Sequence, residues 1–126
     1  MPGSDSKSGD FSWNELMTTG MEGPASFYTQ LFGWTTESFP MPDFDYTVLK
    51  NGEEPVGGLM LVPKEAEGVP PHWGSYVTVA DTDATVKKAE DLGAQVLMGP
   101  QDIPEVGRIT TIRDPLSAVI NVIKYT

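Results

Sequence analysis

Histidine and cysteine, two of the commonest residues in acid–base and metal chemistry, are scarce in this sequence. The single histidine, His72, stands behind Pro70 and Pro71 and beside Trp73 in "EGVPPHWGSYVTVAD" (Glu67–Asp81). Cysteine is absent, which removes thiolate chemistry, disulfides and Cys-ligated zinc. Glu15 lies in "FSWNELMTT" (Phe11–Thr19), where alternation and β-favouring residues predict a strand. On a strand Trp13, Glu15 and Met17 share one face, and Asn14, Leu16 and Thr18 the other. A carboxylate on a buried face costs free energy unless it is paired, hydrated or used. Glu15 therefore reads either as a structural partner of a cation, with Arg108 the candidate, or as a ligand-binding carboxylate or general base.

The other candidates carry two readings each. Arg108 opens "GRITTIRD" after a glycine. It either points inward to bind a carboxylate or sits on a rim. His72 is either a linker histidine ordered by its prolines or a contact at a pocket mouth. Nothing in the sequence places an acid or nucleophile opposite it. Trp13, Trp34, Trp73, Tyr46 and Met60 are core residues or pocket wall. "VGG" (Val56–Gly58) lacks the spacing and the following helix of a phosphate loop. In a strand it marks a bulge or a close approach to a ligand.

The elements that position these residues belong to one domain-sized chain of 126 residues. The formal net charge is −10, which opposes binding to nucleic acid or anionic membranes and favours solubility or cationic partners. No apolar run approaches the roughly 18 residues that a membrane span needs. "MPGSDSKSGD" (1–10) reads as a flexible tail without the apolar stretch of a signal peptide. A cytoplasmic location is compatible with these features.

After the first strand, "GPASFYTQLFGW" has helical spacing, with Gly33 as terminator. Tyr46–Lys50 and Val56–Val62 read as strands around an Asn51–Gly52 turn. The order then repeats. Gly74–Asp81 is a strand, and "DTDATVKKAEDLG" is a helix capped by Asp81 or Thr82 and ended by Gly93. "AQVLMG", "GRITTIRD" and "SAVINVIKY" follow as strands, with Arg113–Asp114 as a turn pair and "KEAEGVPPHW" as the linker between halves. An internal βαβββ duplication is a specific architectural signal.

Taken together, "WNEL", "FYTQLFGW", "GGLM", "PPHWGSYVTVADTDATVKKAEDLGA", "DIPEVGR" and "DPLSAVINVI" resemble the vicinal oxygen chelate superfamily of glyoxalase I, bleomycin-resistance proteins and extradiol dioxygenases. The likeness runs from about Phe11 to Lys124 and is greatest for an uncharacterised bacterial single-domain branch. It implies an α+β fold with modules of about 11–63 and 73–126. These would form a cupped, partly closed eight-stranded mixed sheet with helices outside. It also implies a homodimer. Metalloenzymes of the group hold a divalent metal at positions that fall here near Trp13, with Asn14 and Glu15 beside it, at Gly74 or a neighbour, within "VGGLMLV", and on Asn121. Only Glu15 and His72 are ligand types, so no metal is expected. The implied function is metal-free binding of a small molecule, cationic by the charge of the chain, for sequestration of a toxic or signalling metabolite. Trp13, Glu15, Tyr46, Met60, His72, Trp73, Arg108 and Asn121 would be its contacts. The alternative is a lyase, isomerase or dioxygenase-type enzyme with Glu15 as base and a divalent metal recruited by Glu15, His72 and a partner-chain residue. A third reading is an accessory module with no ligand.

Overall fold

The computed structural model describes residues 5–19, 22–40, 45–62 and 68–126. Residues 1–4 of the expected tail and 64–67 of the expected linker lie outside them. Alternation in the first segment produces strand β1 (Phe11–Thr18), followed by helix α1 (Glu22–Phe32), β2 (Thr35–Pro40), β3 (Asp45–Asn51) and β4 (Glu54–Leu61). The second βαβββ run is β5 (His72–Thr78), α2 (Thr82–Asp91), β6 (Gln95–Ile103), β7 (Gly107–Arg113) and β8 (Val119–Tyr125). The α+β class and the duplicated order match the sequence expectation. No helix among the described residues is long and apolar enough to cross a membrane.

Three elements differ from the expectation, and the first, β5, starts at His72 inside the expected linker and ends at Thr78 rather than Asp81. Strand β2 had no alternation to announce it, and all six of its residues are exposed. Its pairing with β3, from Thr35↔Lys50 to Pro40↔Asp45, makes it a strand. Strand β6 runs beyond "AQVLMG" to Ile103, with register shifts between Val96 and Met98 and between Met98 and Gln101. Such irregularities break the period-two pattern that a sequence reading relies on.

The chain divides into two compact units, Asn14–Trp73 and the residues up to Trp13 with Gly74–Thr126. In the first, the strand order is β2-β3-β4-β1. Strand β1 is parallel to β4, through Glu15↔Gly58, Leu16↔Leu59 and Met17↔Met60. Strand β3 is antiparallel to β4, through Thr47↔Leu59, Val48↔Gly58 and Leu49↔Gly57. Leu16, Leu49 and Leu59 are buried on one side of this sheet, and each buried leucine side chain is worth about 1.5–3 kcal/mol of transfer free energy.

The second unit repeats the frame as β5-β8-β7-β6. Helix α2 lies over β6, β7 and β8. Asp81 caps it by accepting from Ala84 N at 3.0 Å, which satisfies one of the donors a helix start leaves unpaired. The Thr82 hydroxyl, buried in the first turn, donates to Arg108 O on β7 at 2.9 Å. Ahead of β1, Gly9 N donates to Thr78 O at 2.8 Å and Thr78 N donates to Asp10 O at 2.9 Å. These bonds tie the residues before β1 to β5.

Gly107 opens β7 with a φ of 157°, and a Cβ there would collide with Lys124 O on β8. Gly107→Ala is therefore expected to destabilise the protein by on the order of 1–3 kcal/mol. A lowered urea midpoint with an unchanged slope would confirm it.

Candidate functional site

The alternation of β1 decides what meets what in the first unit. Leu16 faces the leucine core with Leu49 and Leu59, so Glu15 and Met17 project from the opposite side. That side also carries Gly58 and Met60 from β4, and Tyr46 and Val48 from β3. Glu15 is only 5% exposed and Tyr46 8%. The Tyr46 hydroxyl donates to Glu15 Oε2 at 2.7 Å. A phenol donating to a carboxylate is a charge-assisted bond, about twice as strong as a neutral one.

This bond crosses a strand. Strand β4 lies between β1 and β3, and strands in a sheet are about 4.8 Å apart. Gly58 faces Glu15 on one side and Val48 on the other. It has no side chain there to stand between the phenol and the carboxylate. Gly57 serves the other side, where a Cβ would lie 3.0 Å from Asn14 O and 3.7 Å from the Trp73 ring. The double glycine of "VGGLM" thus admits a polar pair on one face and a tryptophan on the other.

Trp73 consequently lies on the α1 side. Its Nε1 donates to Tyr28 Oη at 3.0 Å, and the two rings meet edge to face at 5.3 Å. His72 is exposed, and its Nδ1–H donates to Pro70 O at 2.9 Å. A carbonyl can only accept, so the bond places a proton on Nδ1. Met60 is half-buried and faces Met17 across the β1–β4 ladder.

Three candidates belong to the second unit. Trp13 is half-buried in β1. Asn121 accepts from Thr111 Oγ1 at 2.5 Å and donates through Nδ2 to Ser75 O at 3.3 Å. Arg108 donates to Asp83 Oδ1 at 3.0 Å and to Asp102 Oδ2 at 2.8 Å. Bonds to Asp83 first, then to Asp102, hold the guanidinium pKa above its ordinary value. Arg108 therefore ties the first turn of α2 to β6 and β7, and the phenol of Tyr46 takes the place beside Glu15 that the sequence suggested for it.

The register also matches positions between modules. Glu15 and Gly58 pair on β1 and β4 as Tyr76 and Asn121 pair on β5 and β8, and Thr111 corresponds to Val48. One module thus presents a carboxylate where the other presents a row of neutral hydrogen-bonding groups. Sequence reasoning missed Thr111 and the role of Gly58. The repeat alignment of "VGGLM" with "VINVI" is the signal that could have found both.

Among the described residues, no three His, Asp or Glu side chains converge. Glu37 lies on the face of Glu15, but two strands beyond Gly58, where it is paired with Lys50 at 3.2 Å. One carboxylate, a phenol and two thioethers do not fit a divalent centre built from several N or O ligands.

A depression of about 310 Å³ in the second unit is lined by Asp102, Arg108, Lys124 and Tyr125, among others. Burial pushes the Tyr125 pKa up from 10.0, while the 2.9 Å bond with the Ser12 hydroxyl opposes the shift. With the folded pKa above the unfolded one, this contribution to stability is full below about pH 10 and is lost as pH rises through the folded value. Tyr125→Phe should flatten that decline, as read from urea midpoints between about pH 9 and about pH 11. For the site itself, Gly58→Leu would wedge Tyr46 from Glu15 and cost about 1–3 kcal/mol. An unchanged urea midpoint would show that the pair does not need a glycine at 58.

Comparison with known proteins agrees with this frame. A family model described as Glyoxalase/Bleomycin resistance protein/Dioxygenase superfamily matches residues 11–121. The chain is 41% identical over 119 residues to CFP32 of Mycobacterium bovis, provisionally named a glyoxylase, covering 94% of this chain and 45% of that protein. It is 29% identical to the anthracycline biosynthesis protein DnrV of Streptomyces peucetius, covering 88% of this chain and 45% of the relative. The chain thus spans just under half the length of these relatives. The crystal structure of methylmalonyl-CoA epimerase from Mycobacterium tuberculosis shares the fold, with a TM-score of 0.64, 14% identity, and coverage of 96% of this chain and 92% of that one.

Proposed function

The chain belongs to the Glyoxalase/Bleomycin resistance protein/Dioxygenase superfamily, and from that premise we propose that it binds a small organic molecule, without a metal, on the face that carries Glu15 and Tyr46. The observation that carries this reading is the Glu15 carboxylate, 5% exposed and held by the Tyr46 hydroxyl at 2.7 Å. A carboxylate accepts hydrogen bonds and attracts cations. Its chemistry suits a ligand N–H, O–H or organic cation. Met17 and Met60 supply adaptable apolar wall beside it. The net charge of −10 steers cations toward the molecule. Sequestration of a toxic or signalling metabolite needs only such a complementary surface.

An enzyme is the second reading, and the same burial favours it. A desolvated carboxylate oriented by a phenol is a plausible general base for proton removal. The provisional name of CFP32 and the fold shared with an epimerase point the same way.

Thermal-shift titration against a panel of organic cations, carboxylic acids and acyl thioesters separates these readings. The binder reading expects a concentration-dependent rise in Tm that survives a chelator. Glu15→Gln should weaken that ligand by about tenfold or more, roughly 1.4 kcal/mol. Binding lost on chelation, or chemical conversion of the ligand, would overturn the binder reading.

A further inference from the structure

The depression of about 310 Å³ in the second unit has no part in either reading of the Glu15 face. It lies where the β6–β7 turn meets the end of β8. A charged row crosses three strands there. Asp102 on β6 is in register with Arg108 on β7, and Arg108 with Lys124 on β8. Arg108 is committed, to Asp83 at 3.0 and 3.2 Å and to Asp102 at 2.8 Å. Lys124 is exposed and forms no ion pair with any described residue.

Glu105 is the second uncommitted charge on the same wall. It too is exposed, and its carboxylate has no partner among the described residues. Its φ of 64° lies in the left-handed region, which a long side chain rarely adopts. The backbone holds it there. Val106 N donates to Ile103 O at 3.0 Å across the turn, and Thr126 N donates to Val106 O at 3.0 Å. Strain persists only where the surroundings over-determine it, and it gathers at ligand clamps and active sites. Ile103, Pro104 and Tyr125 supply the apolar part of the lining.

We propose that this depression binds a free α-amino acid with an apolar side chain, its carboxylate on Lys124 and its ammonium on Glu105. One unpaired cation and one unpaired anion on a shared wall match a molecule that carries one of each. A simple anion would have to enter against a chain of charge −10. A simple cation would meet Lys124 beside Arg108. A zwitterion meets neither obstacle, because each end faces its opposite and its net charge is zero. The volume is at the lower end of the range for ligand pockets, about 300–1,000 Å³, which suits so small a molecule. The ligand side chain then lies against Ile103, Pro104 and Tyr125. Every residue of this site belongs to the second unit, so it is independent of the Glu15–Tyr46 face.

Amide-resolved NMR titration of the full chain with L-leucine, L-methionine and L-phenylalanine tests this. The expected result is a saturable shift of the Glu105–Arg108 and Lys124–Thr126 amide signals with at least one of them. Its deaminated and decarboxylated analogues, 3-phenylpropanoate and 2-phenylethylamine in the case of phenylalanine, should bind about tenfold or more weakly. Lys124→Met and, separately, Glu105→Gln should each weaken binding by about tenfold or more, with far-UV circular dichroism unchanged. Lys87→Met, at an exposed residue of α2, should leave binding alone. Either folded variant suffices if the other fails to fold. No saturable shift with any of the amino acids would overturn the proposal. So would binding indifferent to both substitutions, an analogue that binds as tightly as the amino acid, or shifts confined to β1, β3 and β4.

Discussion

A carboxylate inside a protein must be answered. Transferring an ionised group from water without partners costs far more than any single packing contact returns. In the Asn14–Trp73 unit, Glu15 is answered by the hydroxyl of Tyr46, and much of the local architecture follows from that. Tyr46 must be on β3, Glu15 on β1, and the strand between them must offer no obstruction. Strand β4 meets that condition with Gly58, directly in register with Glu15. A larger residue at 58, opposite both Glu15 and Val48, would intrude on this face between β1 and β3. The glycine gives up packing on this face so that a polar contact can form.

The same sequence position has a second consequence one residue earlier. Gly57 faces the other way, and its missing side chain leaves room for Trp73. The indole in turn anchors the aromatic cluster of α1 through Tyr28. The second module keeps the frame with different chemistry. Tyr76, Asn121 and Thr111 stand where Glu15, Gly58 and Val48 stand in the first, and Arg108 there is committed to joining α2 to its strands. A duplicated scaffold carries a carboxyl group on this row in one module and amide and hydroxyl groups in the other.

How far this was legible depended on distance along the chain. The strand face shared by Glu15 and Met17, a helix cap at Asp81 or Thr82 and the Gly93 terminator are local, and each was readable because its physics acts within a few residues. The family resemblance was readable because several short motifs keep their order. Strand β2 was not, since "TTESFP" has neither alternation nor burial and is a strand only because β3 pairs with it. Tyr46 could be named as a pocket-wall aromatic, but its partner is 31 residues away and across an intervening strand. Only the register of three strands brings the two together. Arg108 was the natural electrostatic guess for Glu15. It failed to anticipate Asp83 and Asp102, which are nearer to Arg108 in the fold than periodicity can reveal.

The central claim is that Glu15 and Tyr46 are energetically coupled rather than merely adjacent. A double-mutant cycle of Glu15→Gln and Tyr46→Phe, read by urea unfolding, measures that coupling without reference to any ligand. A hydrogen bond to a buried carboxylate predicts a coupling of about 1.5–3 kcal/mol. Additive effects, with no coupling beyond about 0.5 kcal/mol, would mean that the pair does not hold the site together, and the account built on it would fail.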